Sequence, residues 1–325
     1  KNLETRITKM SLKGTLRTIA RAAPAGAAPA RGFATEKQIS MRIVATSNLK
    51  KITSSMKMVS AAKMRGDTNR LNQAKPFSKW VDALGCNQQE IEFIDVSAFP
   101  KTNLFVCFTT DKGLCGGVNS YISRGVRKVA ALMAAEGKEF KLVVAGEKGR
   151  GQLRRLFEDN MASSCTDMQY PGTFSTVCGF TNEVLKVDPT SYGAIHLVYN
   201  EFKSAIAYTP TVKTLPSMSG EGISEPLVAY EFEPGTKSEV LADLNEYLLA
   251  SSMFYSQMEN AASEQSARTS AMENASKNAG ELIDALTLQY NKARQTRITT
   301  ELIEIISGEL PRQIKACPSL TLIIR

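Results

Sequence analysis

The chain has 325 residues, 43% of them hydrophobic, and a formal net charge of +8 with a single histidine. That length can hold two domains, whereas one histidine, set in an apolar run, argues against an imidazole-based triad and, with no C-x-x-C pair among six cysteines, against a zinc-ligand cluster. No run of about 20 apolar residues exists, so no membrane-spanning helix is expected.

The basic excess is local. Residues 1–34 carry seven basic side chains against Glu4 alone, which leaves 33 basic and 31 acidic residues in the rest of the chain. A nucleic-acid-binding role therefore loses its electrostatic support. Leu3, Ile7 and Met10, then Leu12, Leu16 and Ile19, recur at helical spacing between basic residues, and an Ala-, Gly- and Pro-rich run follows to Ala34. Such a segment reads as a mitochondrial transit peptide over 1–34. The alternative is a disordered basic tail.

Residues 36 to about 90 read as a long helix within an N-terminal segment of 35–94, with Pro76 as its bend or break. Ala45, Leu49, Ile52, Met56 and Val59 follow the 4-3-4-3 spacing of a coiled-coil seam, and Lys50, Lys51, Lys57, Lys63 and Arg65 lie mostly off it.

The segment 95–234 changes character. Leu104–Phe108 and Lys141–Ala145 are short apolar runs, each followed by a glycine-rich turn, with helical stretches over 126–133 and 181–187. Ile195–Tyr199, Ile206–Thr209 and Leu227–Phe232 are further strand candidates, and His196 reads as a partly buried strand residue. Strands alternating with helices predict a Rossmann-like α/β domain on a largely parallel sheet.

Both glycine turns stand where a nucleotide site would sit, and both fail in detail. Thr109–Asn119 and Gly146–Gly151 contain neither G-x-G-x-x-G nor G-x-x-x-x-G-K-[ST]. They read as strand-to-helix turns, and no cofactor is expected. Cys115 lies beside Asp111 and Lys112, but no base can be nominated to activate it.

From 235 to 308 the chain reads as a second long helix, free of proline between Pro234 and Pro311. Leu241, Leu244, Leu248, Tyr255, Met258 and Ala262, then Met272, Ala279, Ile283, Leu286, Tyr290 and Ala293, mark its apolar stripe. Roughly 70 helical residues span on the order of 100 Å, too long to stand without partners. Polar Gln265, Thr269 and Ser276 weaken the middle of the stripe. The two helices therefore predict a long antiparallel coiled coil with the α/β domain inserted between them. The longer helix outruns its partner, and an unpartnered apolar tip at Leu302, Ile303, Ile305 and Ile306 implies a socket.

Four stretches carry a resemblance: Lys51-Ile-Thr-Ser-Ser-Met-Lys-Met-Val-Ser-Ala-Ala-Lys63, Thr110-Asp-Lys-Gly-Leu-Cys-Gly-Gly-Val-Asn119, Val198-Tyr-Asn-Glu-Phe-Lys-Ser204, and the segments from Ser263 through Tyr290-Asn-Lys-Ala-Arg-Gln295 to Ile305. In this order, over about 36–308, the chain resembles the gamma subunits of F-type ATP synthases, and the leader points to the mitochondrial form. The resemblance implies a non-catalytic central shaft, one copy per complex. It would carry torque from a membrane c-ring to a hexamer of alpha and beta subunits, with an epsilon/delta-type subunit at its foot, on the matrix side of the inner membrane. It also implies that Arg294 and Gln295 contact a beta-subunit loop. Lys50, Lys51, Met56 and Lys57 would face an acidic lever segment of beta, and Leu302, Ile303, Ile305 and Ile306 would seat in a hydrophobic bearing. The tail 309–325 exceeds the family's usual end, and the closely spaced cysteine pair of the chloroplast form is missing, so thiol control of rotation is not expected. The competing readings are a nucleotide- or ligand-binding α/β protein with coiled-coil dimerisation arms, and a coiled-coil scaffold.

Overall fold

The computed structural model describes residues 36–84, 86–168, 172–188, 191–215, 233 and 237–316, with side chains through residue 308. They fall into two compact units, one of residues 45–283 and the other of residues up to 44 together with those from 284 onward. The leader 1–34 and the expected strand 227–232 lie outside the described residues, as does the end of the tail, 317–325.

Two long helices enclose the rest in sequence: α1, Glu36–Ala83, and α5, Lys237–Ala316. Between them run β1 (Asn87–Glu90), β2 (Thr102–Phe108), α2 (Val118–Ala135), β3 (Glu139–Ala145), α3 (Glu147–Leu153), β4 (Met161–Cys165), α4 (Phe174–Leu185), β5 (Ala194–Phe202) and β6 (Tyr208–Leu215). The sheet order is β1-β6-β5-β2-β3-β4. Strands β5, β2, β3 and β4 are mutually parallel, while β6 runs antiparallel to β5, and β1 antiparallel to β6. The expected largely parallel sheet is thus a mixed one. Edge strands β1 and β4 are too polar or too short to stand out in sequence, and the strand expected at 206 starts at Tyr208 and runs on to Leu215.

The central strand shows why the domain is layered. Residues of β2 alternate between two cores, Leu104, Val106 and Phe108 on one side and Phe105 and Cys107 on the other. The first core is closed by α4 and by Val81, Leu248, Leu249 and Met253 of the long helices, the second by Ile122, Val126, Val129 and Met133 of α2. Helix α2 stops at Gly137, whose φ of 67° suits a residue without Cβ. The Lys138 N–H then bonds back to Met133 O at 3.0 Å, which closes the last turn. Thr173 caps α4 by accepting from Thr176 N at 3.3 Å.

Pro76 does not break α1. The ring sits on the exposed side, and the flanking turns are held by packing. Leu71 and Ala74 are buried in one cluster with Met258 and Ala262, Phe77 meets Phe254 edge-on at 5.4 Å, and Trp80 stacks on Tyr247 at 5.3 Å. Such contacts offset the roughly 3 kcal/mol that an interior proline costs a helix. Lys213 of β6 adds a buried anchor, its ammonium 2.6 Å from Asp82 and 3.3 Å from Ser78 on α1.

Within the 45–283 unit, α1 and α5 pair antiparallel: Lys57 meets Glu273 at 3.2 Å, and Lys50 reaches toward Gly280. The face that α1 buries is not the expected seam. Thr46, Ser60, Asp67 and Ala74 are buried at multiples of seven residues, whereas Leu49, Ile52 and Val59 are more than half exposed. Small hydroxyl side chains let the helices approach closely, and the apolar stripe is left facing outward. The α5 seam is as expected, with Leu241, Leu248, Met258, Ala262 and Met272 buried. Within the other unit, Leu286 is buried, and Glu36 pairs with Arg297 at 2.7 Å. Helix α5 also continues to Ala316 through Gly308 and Pro311, beyond the end expected near 308. A proline removes only its own N–H, and the neighbouring helical bonds can remain.

Candidate partner interface

The two glycine turns are occupied by the protein itself. Asn119 at the start of α2 accepts from Thr110 N at 3.0 Å and donates to Thr110 Oγ1 at 2.7 Å and to Cys115 Sγ at 3.4 Å. The second turn wraps the side chain of Thr109, which donates to Ala145 O at 2.6 Å and accepts from Gly149 N at 3.2 Å. A Cβ at Gly146 would lie 2.6 Å from that same hydroxyl, so the glycine makes room for Thr109 rather than for a phosphate. Asp111 links the turns to the next loop by accepting from Glu147 N and Met168 N.

Helix α5 then covers the carboxyl ends of β2 and β3, the place where doubly wound folds bind nucleotides. Ser263 donates to Asn200 O at 2.9 Å and Ser266 to Ala205 O at 2.8 Å, and Arg268 reaches Gly113 O at 3.4 Å while pairing with Glu264 at 2.5 Å. The polar middle of the α5 stripe is therefore the attachment point of the α/β domain. Burial raises the Glu264 carboxyl, and Arg268 opposes that shift. The cavity left between these groups measures about 130 Å³, below the roughly 300 Å³ at which small-molecule pockets begin.

Neither the lone histidine nor the buried thiols are poised as an acid, base or nucleophile. His196 is sandwiched by Phe99 and Phe105 with ring centroids at 4.1 and 4.6 Å, and its nitrogens contact Thr214 Oγ1 and Asn103 Oδ1, both at 3.0 Å. Burial lowers its pKa to about 3. Burial likewise pushes the thiols of Cys86 to about 11 and Cys107 to about 12, away from nucleophilic use.

Interaction capacity lies on the long helices instead. Lys50 and Lys51 are exposed on α1, with Met56 and Lys57 half-buried one to two turns on; Lys57 is partly committed to Glu273. Arg294 and Gln295 are adjacent and exposed on α5, beyond the half-buried Tyr290, whose hydroxyl is held by Glu36 and raised in pKa by that bond. Leu302, Ile303, Ile305 and Ile306 are exposed by 54, 57, 63 and 58%. Apart from Met56, the outward exposure of the α1 stripe is not expected from the sequence. Its signal was present in the sequence as the 4-3-4-3 apolar spacing, but that spacing does not say which partner it serves. Leu114, at φ 62°, is a further exposed apolar residue, 65% accessible on the first glycine turn.

An α/β domain packed on two long helices, with its nucleotide position closed and apolar residues of the helices turned outward, has the architecture of a partner-binding subunit. Residues 35–309 match the family model described as ATP synthase. The chain is 42% identical over 285 residues to the mitochondrial ATP synthase subunit gamma of Drosophila melanogaster, covering 86% of this chain and 91% of that one. It is 37% identical over 291 residues to the ATP synthase gamma chain of Paramagnetospirillum magneticum, covering 85% and 99%. Among solved structures, a chain of the Tetrahymena thermophila mitochondrial ATP synthase central stalk and c-ring aligns with a TM-score of 0.58 at 32% identity, over 69% of this chain and 99% of that one. A chain of the Euglena gracilis mitochondrial enzyme shares the fold with a TM-score of 0.69 at 22% identity, over 86% and 95%. The chain belongs to the ATP synthase gamma-subunit family.

Proposed function

We infer that this chain is the central-stalk rotor subunit of a mitochondrial proton-translocating ATP synthase, carrying torque from a membrane c-ring to the alpha/beta hexamer that makes ATP. The observation that carries this reading is the outward apolar and basic surface of the long helices, on a subunit whose own nucleotide position is filled by α5. No helix among the described residues is long and apolar enough to cross a membrane. In this reading the contact with the c-ring and an epsilon/delta-type subunit is peripheral, on the matrix side of the inner membrane, and residues 1–34 serve as the transit peptide. Arg294 and Gln295 grip a beta-subunit loop; a guanidinium holds a carboxylate through paired donors without losing its charge. Lys50, Lys51, Met56 and Lys57 face an acidic segment of beta, and Leu302, Ile303, Ile305 and Ile306 turn in an apolar bearing.

Native mass measurement of the complex pulled down through this chain tests the reading. One copy with three beta subunits is expected. A symmetric homo-oligomer of this chain, or saturable ATP hydrolysis by the purified chain alone, would overturn it.

A further inference from the structure

At the opposite end of the sheet from the glycine turns, beside the amino ends of β2 and β3, lies a groove of about 1030 Å³ that plays no part in the reading above. Its size is at the upper limit of the roughly 300–1,000 Å³ common for small-molecule sites. Ala130 and Ala134 of α2 form one wall, and their short side chains keep the slot open; Phe140, Leu156 and Phe157 form the other. Leu156, one of the lining residues, is 55% exposed. Three cations, Arg127, Lys138 and Lys141, line the groove against one carboxylate, Glu139.

Two of the cations are fixed in place. Lys138 Nζ donates to Val96 O at 2.6 Å and Ser97 O at 3.0 Å and meets Glu136 at 2.7 Å, and Lys141 Nζ donates to Asp159 O at 3.0 Å. Arg127 makes one long contact, Nη2 to Gln152 O at 3.4 Å, so most of its five donors remain for a ligand. The backbone of the groove is already paired. Asn160 Nδ2 bonds Phe140 O at 3.0 Å, Glu139 N bonds Lys101 O at 2.8 Å, and Gly193 N bonds Thr102 O at 3.0 Å. A peptide laid here would bury its own N–H and C=O groups without partners, whereas an alkyl chain asks for none.

We propose that this groove binds a free long-chain fatty acid, its chain along Ala130, Ala134 and Phe157 and its carboxylate on Arg127. The proposal uses none of the residues assigned to the beta-subunit contacts or to the bearing, and its test does not depend on them.

The test is titration of the purified full-length chain with oleate below its micelle concentration, followed by calorimetry, with oleyl alcohol as the neutral control. Saturable single-site binding of oleate is expected. Oleyl alcohol should bind about tenfold more weakly, the loss expected for one charge-assisted hydrogen bond. Arg127→Glu should weaken oleate to a similar degree, and Ala134→Trp should block the slot without lowering the melting temperature. Equal binding of acid and alcohol, absence of saturation, or unchanged oleate affinity in both variants would overturn the proposal. So would binding to phosphatidylserine-containing vesicles without binding of free oleate, which would mark a membrane-contact surface instead. The acid–alcohol comparison uses the unmodified chain and holds even if a variant fails to fold.

Discussion

A methyl group added at Gly149 collides with the Thr109 side chain, the residue that the second glycine turn is built around. Overpacking of this kind costs about 1–3 kcal/mol, so Gly149→Ala should lower the denaturation midpoint of the purified chain. Gly151, in the same helix α3, has nothing within 4 Å of the position its Cβ would take. Gly151→Ala should therefore leave stability unchanged or raise it by up to about 1 kcal/mol. If the two variants melted alike, the packing explanation for the turn would be wrong. His196 makes a second prediction. Its pKa falls from 6.5 in the unfolded chain to about 3 in the fold, so between those values the unfolded state binds the extra proton. Stability contributed by the neutral, buried ring is present above about pH 6.5 and is lost as pH drops toward 3. His196→Gln should flatten that part of the stability–pH curve by a few kcal/mol. A slope identical to that of the unmodified chain would show that the ring becomes protonated without cost.

At the scale of elements, what could be read in the sequence divides along physical lines. Strands β2, β3 and β5 are buried on both faces and appear as continuous apolar runs, and α2 shows a clear 4-3-4 stripe. Strands β1 and β4, Asn87–Glu90 and Met161–Cys165, lie at sheet edges, where burial no longer dictates composition. The same distinction explains the misplaced seam of α1. Periodicity shows that Leu49, Ile52 and Val59 form a stripe but not what covers it, and the intramolecular face is built from Thr46, Ser60 and Asp67 instead. Substitutions on these two faces should therefore differ in kind. Ser60→Leu places a large side chain in a site only 3% exposed and should cost the isolated chain about 1–3 kcal/mol. Ile52→Ser, at 55% exposure, should leave its stability within about 0.5 kcal/mol of the original while weakening assembly with partner subunits. Equal destabilisation by both would return Ile52 to the internal seam. Of the candidate contacts, Lys50, Lys51, Arg294 and Gln295 stand at exposed positions, whereas the half-buried pairing of Lys57 with Glu273 depends on the register of α1 against α5 and could not be read from either helix alone.

For the whole molecule, the distribution of apolar side chains separates folding from work. The α/β core is closed without Leu302, Ile303, Ile305 or Ile306, which stay exposed, and without Arg294, whose side chain faces solvent. A protein selected only for its own stability would gain by replacing such a tip with polar residues, since exposed apolar clusters invite association. Their retention makes sense if a surrounding complex buries them. Replacing Leu302, Ile303, Ile305 and Ile306 together by serine should change the melting temperature of the isolated chain little, because all four side chains are more than half exposed. In the assembled enzyme the same change should reduce retention of the shaft in the hexamer, and Arg294→Ala should lower the ATP made per proton translocated without altering assembly. Single-molecule torque and proton-driven ATP synthesis in reconstituted vesicles distinguish the two. A fully coupled enzyme with Arg294→Ala would remove that guanidinium from the working contacts, and a quadruple-serine tip with normal assembly and torque would show that the bearing does not depend on apolar burial.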